Sequence, residues 1–434
     1  MGILERYFHV KGRGSSIKQE LLGGIATFFT SAYLIVMIAD FLVPISENTD
    51  AAVMAAVCIS AAIGCLVIGL VSNLPFAVAP GLGVAVFFSQ TLVDRYGYSY
   101  KQAIALIFLS GILFLVICLS PMRERFLDAV PIPLKFAVSA GLGLMIAFSG
   151  LVNAGLVTAE QNLLDMGNII SPSPLLALLG VFLTAALLLK KIPGAVLIGI
   201  FCITVLGIPM KVTCLPESWG NGFDLSVALP DFEGVFAHGI LPVISALVAL
   251  SLSQCFDAAG TLLGVADDVK MTDNTEDLEG SDRAMAGTAV STCITAFAGV
   301  PGVTPLAESA IGVREGARTG LAPIVTGLLF LAAIPFAPLM GVIPSAATAA
   351  VRIVVGMMMM SGISQIRWKY VEISLPCFLI IVGMPFTGSI TNGIALGCIS
   401  YVVLMVCRKK ADVVNPWMYI LAVLFVLMYL LAAL

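Results

Sequence analysis

Apolar residues run in long blocks through most of this chain, and the short stretches between them hold nearly all of its charge. The blocks fall near residues 21–43, 51–72, 77–93, 102–120, 133–151, 174–190, 194–210, 240–264, 284–299, 303–313, 321–341, 345–361, 370–386 and 388–407. A last run covers 416–434. Runs of roughly 20 apolar residues predict helices that cross a bilayer. The short alternating strands of an outer-membrane barrel are absent. The expected fold is an all-α polytopic membrane protein of about 14 transmembrane spans. The final run is either a fifteenth crossing or a sign that 370–407 forms a shallower pair.

Composition agrees. Of 434 residues, 59% are hydrophobic and 11% charged; a soluble domain carries about 25% charged residues. The formal charge of −4 says little about partners, because sign is distributed by side of the membrane. No basic tract interleaved with aromatics suggests nucleic acid. The ten cysteines stand singly, with no C-x-x-C pair and no histidine cluster. Neither a metal site nor a disulfide framework is supported, and no cofactor is expected. His9 and His238 sit at predicted membrane edges, and neither H-E-x-x-H nor G-x-S-x-G occurs. That argues against an enzyme.

Residues 1–20 are charged and lack a cleavable signal pattern, so they read as a cytoplasmic amphipathic segment lying against lipid headgroups. With that end inside, Arg6, Lys11, Arg13, Lys18, Arg123, Arg125, Lys190, Lys191, Lys270, Arg283, Arg314, Arg318, Arg367, Lys369, Arg408, Lys409 and Lys410 fall on the cytoplasmic face. The opposite face receives Arg95, Lys101 and Lys211, with acids such as Glu47, Asp50, Glu217, Asp224 and Asp231. This asymmetry obeys the positive-inside rule. The chain is expected to be a multi-pass protein of the cell membrane with a cytoplasmic N-terminus.

The two halves resemble one another. Ser110-Gly111-Ile112-Leu113-Phe114-Leu115 is echoed by Thr326-Gly327-Leu328-Leu329-Phe330-Leu331. Ile132-Pro133, Gly143-Leu144-Met145 and Gly150-Leu151 recur as Ile343-Pro344, Gly356-Met357-Met358 and Gly362-Ile363. Seven spans per unit is an odd number, so the copies at 21–210 and 240–407 must be inverted in the membrane. Inverted repeats are the architecture of secondary transporters, whose sites lie near the midplane between broken segments. Here the third span, LPFAVAPGLGVAVFF (74–88), and the tenth, AGVPGVTPLAESAIG (298–312), both open with Pro and Gly. Both are short for a helical crossing. Unwound backbone is tolerated at that depth where it lines a cavity or is buried in protein.

Asp257 and Glu308 are isolated carboxylates inside such segments. An ionisable side chain at bilayer depth costs roughly 2.5–3.5 kcal/mol and marks a substrate, ion or proton site, or else a structural hydrogen bond between helices. Arg352 lies within span twelve and either pairs with an acid or reaches a gate surface.

At these residues the chain resembles the nucleobase–cation symporters of the xanthine/uracil permease superfamily, in particular the adenine/guanine/hypoxanthine permease branch. The likeness runs through LLGGIATFFTSAYLI (21–35), APGLGVAVFF (79–88), VPIPLKFAVSAGLGLMIAFSGLVNAG (130–155), FDAAGTLLGVA (256–266), residues 308–339 and MPFTGSITNGIALGCISYVVL (384–404). It implies a substrate-carrying core domain (21–120 and 240–341) and a gate domain (130–210 and 343–407), with 416–434 as a C-terminal apolar helix. It assigns Asp257 and Glu308 to holding a purine and to proton coupling. Backbone around Gly81, Gly83, Gly302, Val303 and Thr304 would complete the cradle, and Phe87 or Phe256 could stack on the ring. A carboxylate accepts two N–H bonds from a base edge, which suits this ligand. Two departures stand out. Gly83 occupies the place of the family's asparagine, and residues 302–308 lack its usual tyrosine.

The expected activity is proton-coupled symport of a purine nucleobase by a homodimer using alternating access. The alternatives are another planar solute or an anion on the same fold, or sodium coupling through oxygens such as those of Thr261 and Thr304.

Overall fold

A computed structural model describes residues 3–46, 48–120, 130–160, 163–190, 192, 194–213, 229–236, 239–268, 280–336 and 342–432. Glu47, Arg123, Arg125, Lys191, Glu217, Asp224, His238 and Lys270 lie outside them, as do the side chains of Arg6 and Phe256. Among the described residues, eight helices are long and apolar enough to cross a bilayer, and four shorter apolar helices join them.

After a short helix α1 (Ile3–Phe8), the first crossing is made in two pieces, α2 (Ile17–Ser31) and α3 (Tyr33–Leu42). The break has a local cause. Thr30 and Ser31 each donate a side-chain hydroxyl to carbonyls three and four residues back, which competes with the helical ladder and bends it. Helix α4 (Asp50–Val71) returns, capped by Thr49. Strand β1 (Val78–Pro80) then leads into α5 (Leu82–Val86), which continues as a π-helical segment over Phe87–Arg95. Helix α6 (Tyr100–Leu119) closes the first four crossings behind a reciprocal Ser99–Gln102 cap.

Helix α7 (Ile132–Asn153) follows. A hairpin of β2 (Val157–Glu160) and β3 (Leu163–Met166) separates it from α8 (Pro172–Leu189) and α9 (Ala195–Gly207). The second half repeats the pattern after a single turn, α10 (Phe232–Val235). It runs through α11 (Ile240–Asp268), α12 (Ser281–Ala296), β4 (Val303–Pro305), α13 (Ser309–Arg314) and α14 (Leu321–Ala333). Then come α15 (Ser345–Met359), α16 (Val371–Thr387) and α17 (Ile390–Cys407).

The last apolar run forms helix α18 (Pro416–Ala432). Tyr419 donates to the carbonyl of Ala411 at one end of α17, and Tyr429 reaches Asn392 at the other. It therefore packs antiparallel against α17, as a further apolar helix shorter than the eight of crossing length.

The elements pack as two groups. Helices α2–α6 interlock with α11–α14, and α7–α9 interlock with α15–α17. Between the groups contacts are sparse, chiefly α3 and α9 against their neighbours and α11 against α7 and α17. Glycines set the close approaches. A Cβ on Gly24 would sit 2.5 Å from the Ala322 carbonyl oxygen, and one on Gly69 equally near that of Gly320.

The N-terminal segment has partners within the chain. Part of it docks on protein. Phe8 and Val10 are buried beside Leu321, Tyr7 donates to the Leu70 carbonyl, and Arg13 donates to that of Asn73 at 2.7 Å.

Candidate functional site

The centre of the molecule is the meeting of β1 and β4. They pair antiparallel with Ala79 opposite Thr304 and Pro80 opposite Val303. Gly81 extends the ladder by donating to the Gly302 carbonyl at 3.1 Å, and Leu306 donates to that of Ala77 at 2.9 Å. Pro and Gly make these stretches poor helix formers. Backbone left unwound at depth needs internal partners, and each broken segment supplies them to the other. Ser309 adds a side-chain acceptor for the Ala77 amide, at 3.0 Å.

Both acids converge on this crossing. Glu308 lies three residues past β4 as the N-cap of α13, and Asp257 comes from α11, which packs against β4. Thr304 donates its hydroxyl to the Asp257 carboxylate, and the two carboxyl groups are near enough for their charges to interact. Asp257 is exposed although its helix neighbours Gln254, Cys255 and Ala258 are fully buried. Its carboxylate therefore faces an opening inside the bundle. Glu308 is half-buried and accepts a 2.7 Å hydrogen bond from the Tyr33 hydroxyl.

The other sequence-based candidates are placed differently. Gly81, Gly83, Gly302, Val303 and Thr304 all line the crossing but are buried. Two of the expected cradle amides are already engaged: Gly81 donates to Gly302, and Val303 donates to the Thr292 hydroxyl at 3.2 Å. The cradle is consequently one of side chains more than of free backbone. Phe87 needs correction as a ring-stacking residue. It is 1% exposed, and Phe88 beside it is fully buried with its ring edge-on to Tyr100 at 5.1 Å. Where α5 turns π-helical, both rings are committed to packing. Among the described residues no group of His, Cys, Asp and Glu could hold a metal ion.

Sequence reading missed Tyr33 and Gln254. Gln254 lies one helical turn before Asp257, fully buried, with its amide donating to Ser110 at 3.2 Å. Tyr33 reads as one more aromatic in an apolar run, and only its partner, 275 positions away, gives it a role.

A long-helix bundle with two broken, crossed segments and paired acids at their meeting point defines the class of inverted-repeat membrane carriers. The solved transmembrane domain of a cyanobacterium bicarbonate transporter, BicA, has this fold: TM-score 0.69 and 16% identity over 87% of this chain and 97% of that one. The chain belongs to the Permease family (Xan_ur_permease), whose model matches residues 18–396. It is similar to the guanine/hypoxanthine permease PbuO of Bacillus subtilis, 33% identical over 96% of this chain and 98% of that one. It is also similar to the adenine permease AdeP of Escherichia coli, 34% identical over 98% and 96%. Membership places it among multi-pass membrane transporters rather than enzymes.

Proposed function

We propose that this protein carries a purine nucleobase across the cell membrane by proton-coupled alternating access, with its N-terminus in the cytoplasm. The observation that carries the reading is the pair of interacting carboxyl groups at the β1–β4 crossing, tethered by Thr304 and Tyr33. A purine edge presents N–H donors to such acceptors. In this reading one of the two acids takes up the proton and passes it on. Arrival of base and proton neutralises the site. Movement of α2–α6 with α11–α14, as a core domain, against α7–α9 with α15–α17, as a gate domain, then exposes it to the other side. Homologues named for guanine, hypoxanthine and adenine support the substrate class. The anion-carrier alternative shares the fold, but paired carboxylates repel an anion. Homodimer assembly is part of the proposal.

The test is uptake of radiolabelled guanine, hypoxanthine and adenine into proteoliposomes under an imposed proton or sodium gradient. Accumulation driven by protons in wild type, and abolished in Asp257→Asn at equal protein level, is the expected result. Unchanged accumulation in that variant removes Asp257 from the mechanism; sodium-driven uptake replaces the coupling ion.

A further inference from the structure

Helix α3 touches both the site and the opposite helix group. Tyr33 and Asp40 lie seven residues apart on it, two turns along one face. Tyr33 holds Glu308. Asp40 holds Arg352, which belongs to α15 in the other group; Arg352 Nη2 donates to the Asp40 carboxylate at 2.5 Å and to its backbone carbonyl at 3.3 Å. The guanidinium also stacks over Phe41, 4.0 Å from the ring centroid. Arg352 is 7% exposed, and its Nε has no partner. It is an arginine taken out of water to make a contact between groups that otherwise touch sparsely.

Arg352 also lines an open vestibule of about 860 Å³, together with Gln90, Asp94, Arg95, Phe148 and Asn153 among others. The vestibule lies between the π-helical segment of one group and α7, α15 and α16 of the other. Gly150 on α7 leaves the room Arg352 needs, since a Cβ there would sit 2.9 Å from the Arg352 Cβ.

We propose that Asp40 and Arg352 form the gate between this vestibule and the paired acids, closed in the state seen here. The inference rests on the transport reading above and adds a residue pair to it. The break at Ala32 makes α3 a rod separate from α2. A ligand that draws Glu308 away from Tyr33 acts on the same helix face that carries Asp40. When Asp40 withdraws, Arg352 turns toward the vestibule, where water and the Asp94 carboxylate receive its charge. The gate opens by exchange of one acidic partner for another, so the guanidinium is never left buried and alone.

The experiment uses the full chain reconstituted in liposomes, with native cysteines replaced and one reporter cysteine at Ala307, an exposed position beside Glu308. A membrane-impermeant maleimide is applied from the vestibule side. Arg352→Gln and Asp40→Asn should each raise the labelling rate by at least about fivefold, the lower end of ordinary two-state coupling. Thermal-shift binding of guanine, hypoxanthine and adenine to the same preparations reports the fold and the site. A labelling rate unchanged in both variants, or raised in only one of them, overturns the gate. Absence of base binding by the unmodified protein overturns the transport reading instead, while the labelling contrast still judges the gate. Should Arg352→Gln fail to fold, the milder Asp40→Asn decides alone.

Discussion

Gly143 and Gly356, which occupy matching places in the two halves of the sequence, lie back to back where α7 crosses α15. A Cβ on Gly143 would fall 2.5 Å from the Gly356 carbonyl oxygen, and a Cβ on Gly356 would meet the Gly143 carbonyl just as closely. Equivalent residues of two inverted units meet where the pseudo-two-fold axis passes between them, so the repeat is visible in a single contact. The obstacle on each side is backbone, which has no rotamer to give.

Gly356→Val should therefore destabilise the fold by about 1–3 kcal/mol, the usual cost of overpacking. The check is the midpoint of thermal unfolding in detergent beside Gly362→Val. At Gly362 the nearest atom is Phe136 Cδ1 at 3.0 Å, a ring that can turn. Equal midpoints for the two variants would show that α7 and α15 can separate without penalty.

Tyr33→Phe removes one hydroxyl and keeps the ring. The bond lost is made to a carboxylate, a class contributing about 1.5–3 kcal/mol, and tenfold in affinity corresponds to about 1.4 kcal/mol. If Glu308 binds base only when Tyr33 orients it, purine affinity measured by calorimetry should fall by about tenfold or more, with unfolding nearly unchanged. Wild-type affinity would leave Tyr33 a packing residue.

What could be read from sequence follows from range. Each span is a local property of about 20 residues, and the segments proposed for 102–120 and 388–407 match α6 and α17 within two residues at each end. Asp257 and Glu308 were legible because a charge at depth is anomalous wherever its partner lies. Tyr33 and Asp40 were not: the first is unremarkable in an apolar run, and the second sits near a span end, where acids are ordinary. Arg352 was conspicuous, but its partner is 312 positions away. Phe87 was over-read because a motif gives residue type without the face a π-helical turn presents. Arg318, legible in sequence only as a cytoplasmic-face charge, donates to the carbonyls of Val313 and Ala317, at 2.6 and 2.7 Å, and closes the end of α13.

Glu20 supplies a test of stability separable from transport. It is fully buried on α2, and its carboxylate accepts from the Arg318 amide at 2.8 Å and the Thr319 amide at 3.4 Å, ahead of α14. Glu20→Ala leaves both donors without a partner, at about 1–3 kcal/mol for each buried group. Glu20→Gln keeps one acceptor oxygen and should recover roughly half of that loss. Urea titration of the detergent-solubilised protein ranks the three proteins. Base affinity per folded molecule should stay level across them, because Glu20 touches neither acid of the site.

Gly81 and Gly83 separate a site effect from a packing effect within one short segment. At Gly81 the backbone is extended with φ of −75°, so alanine brings no strain there. Its Cβ would nonetheless lie 2.7 Å from Thr304 Oγ1 and 2.9 Å from Thr304 Cγ2. Thr304 is 3% exposed and holds Asp257, so it must turn or shift, and the hydrogen bond to the carboxylate goes with it. Gly83 faces a flexible neighbour, the Leu142 Cδ1 methyl at 3.2 Å, on the opposite helix group. Gly81→Ala should weaken purine binding by about tenfold, one charged hydrogen bond's worth, while Gly83→Ala stays within about threefold. Calorimetric titration of both variants with the same base decides. Equal losses would mean that alanine disturbs the β1–β4 crossing as a whole, and an unchanged Gly81→Ala would remove Thr304 from the tether on Asp257.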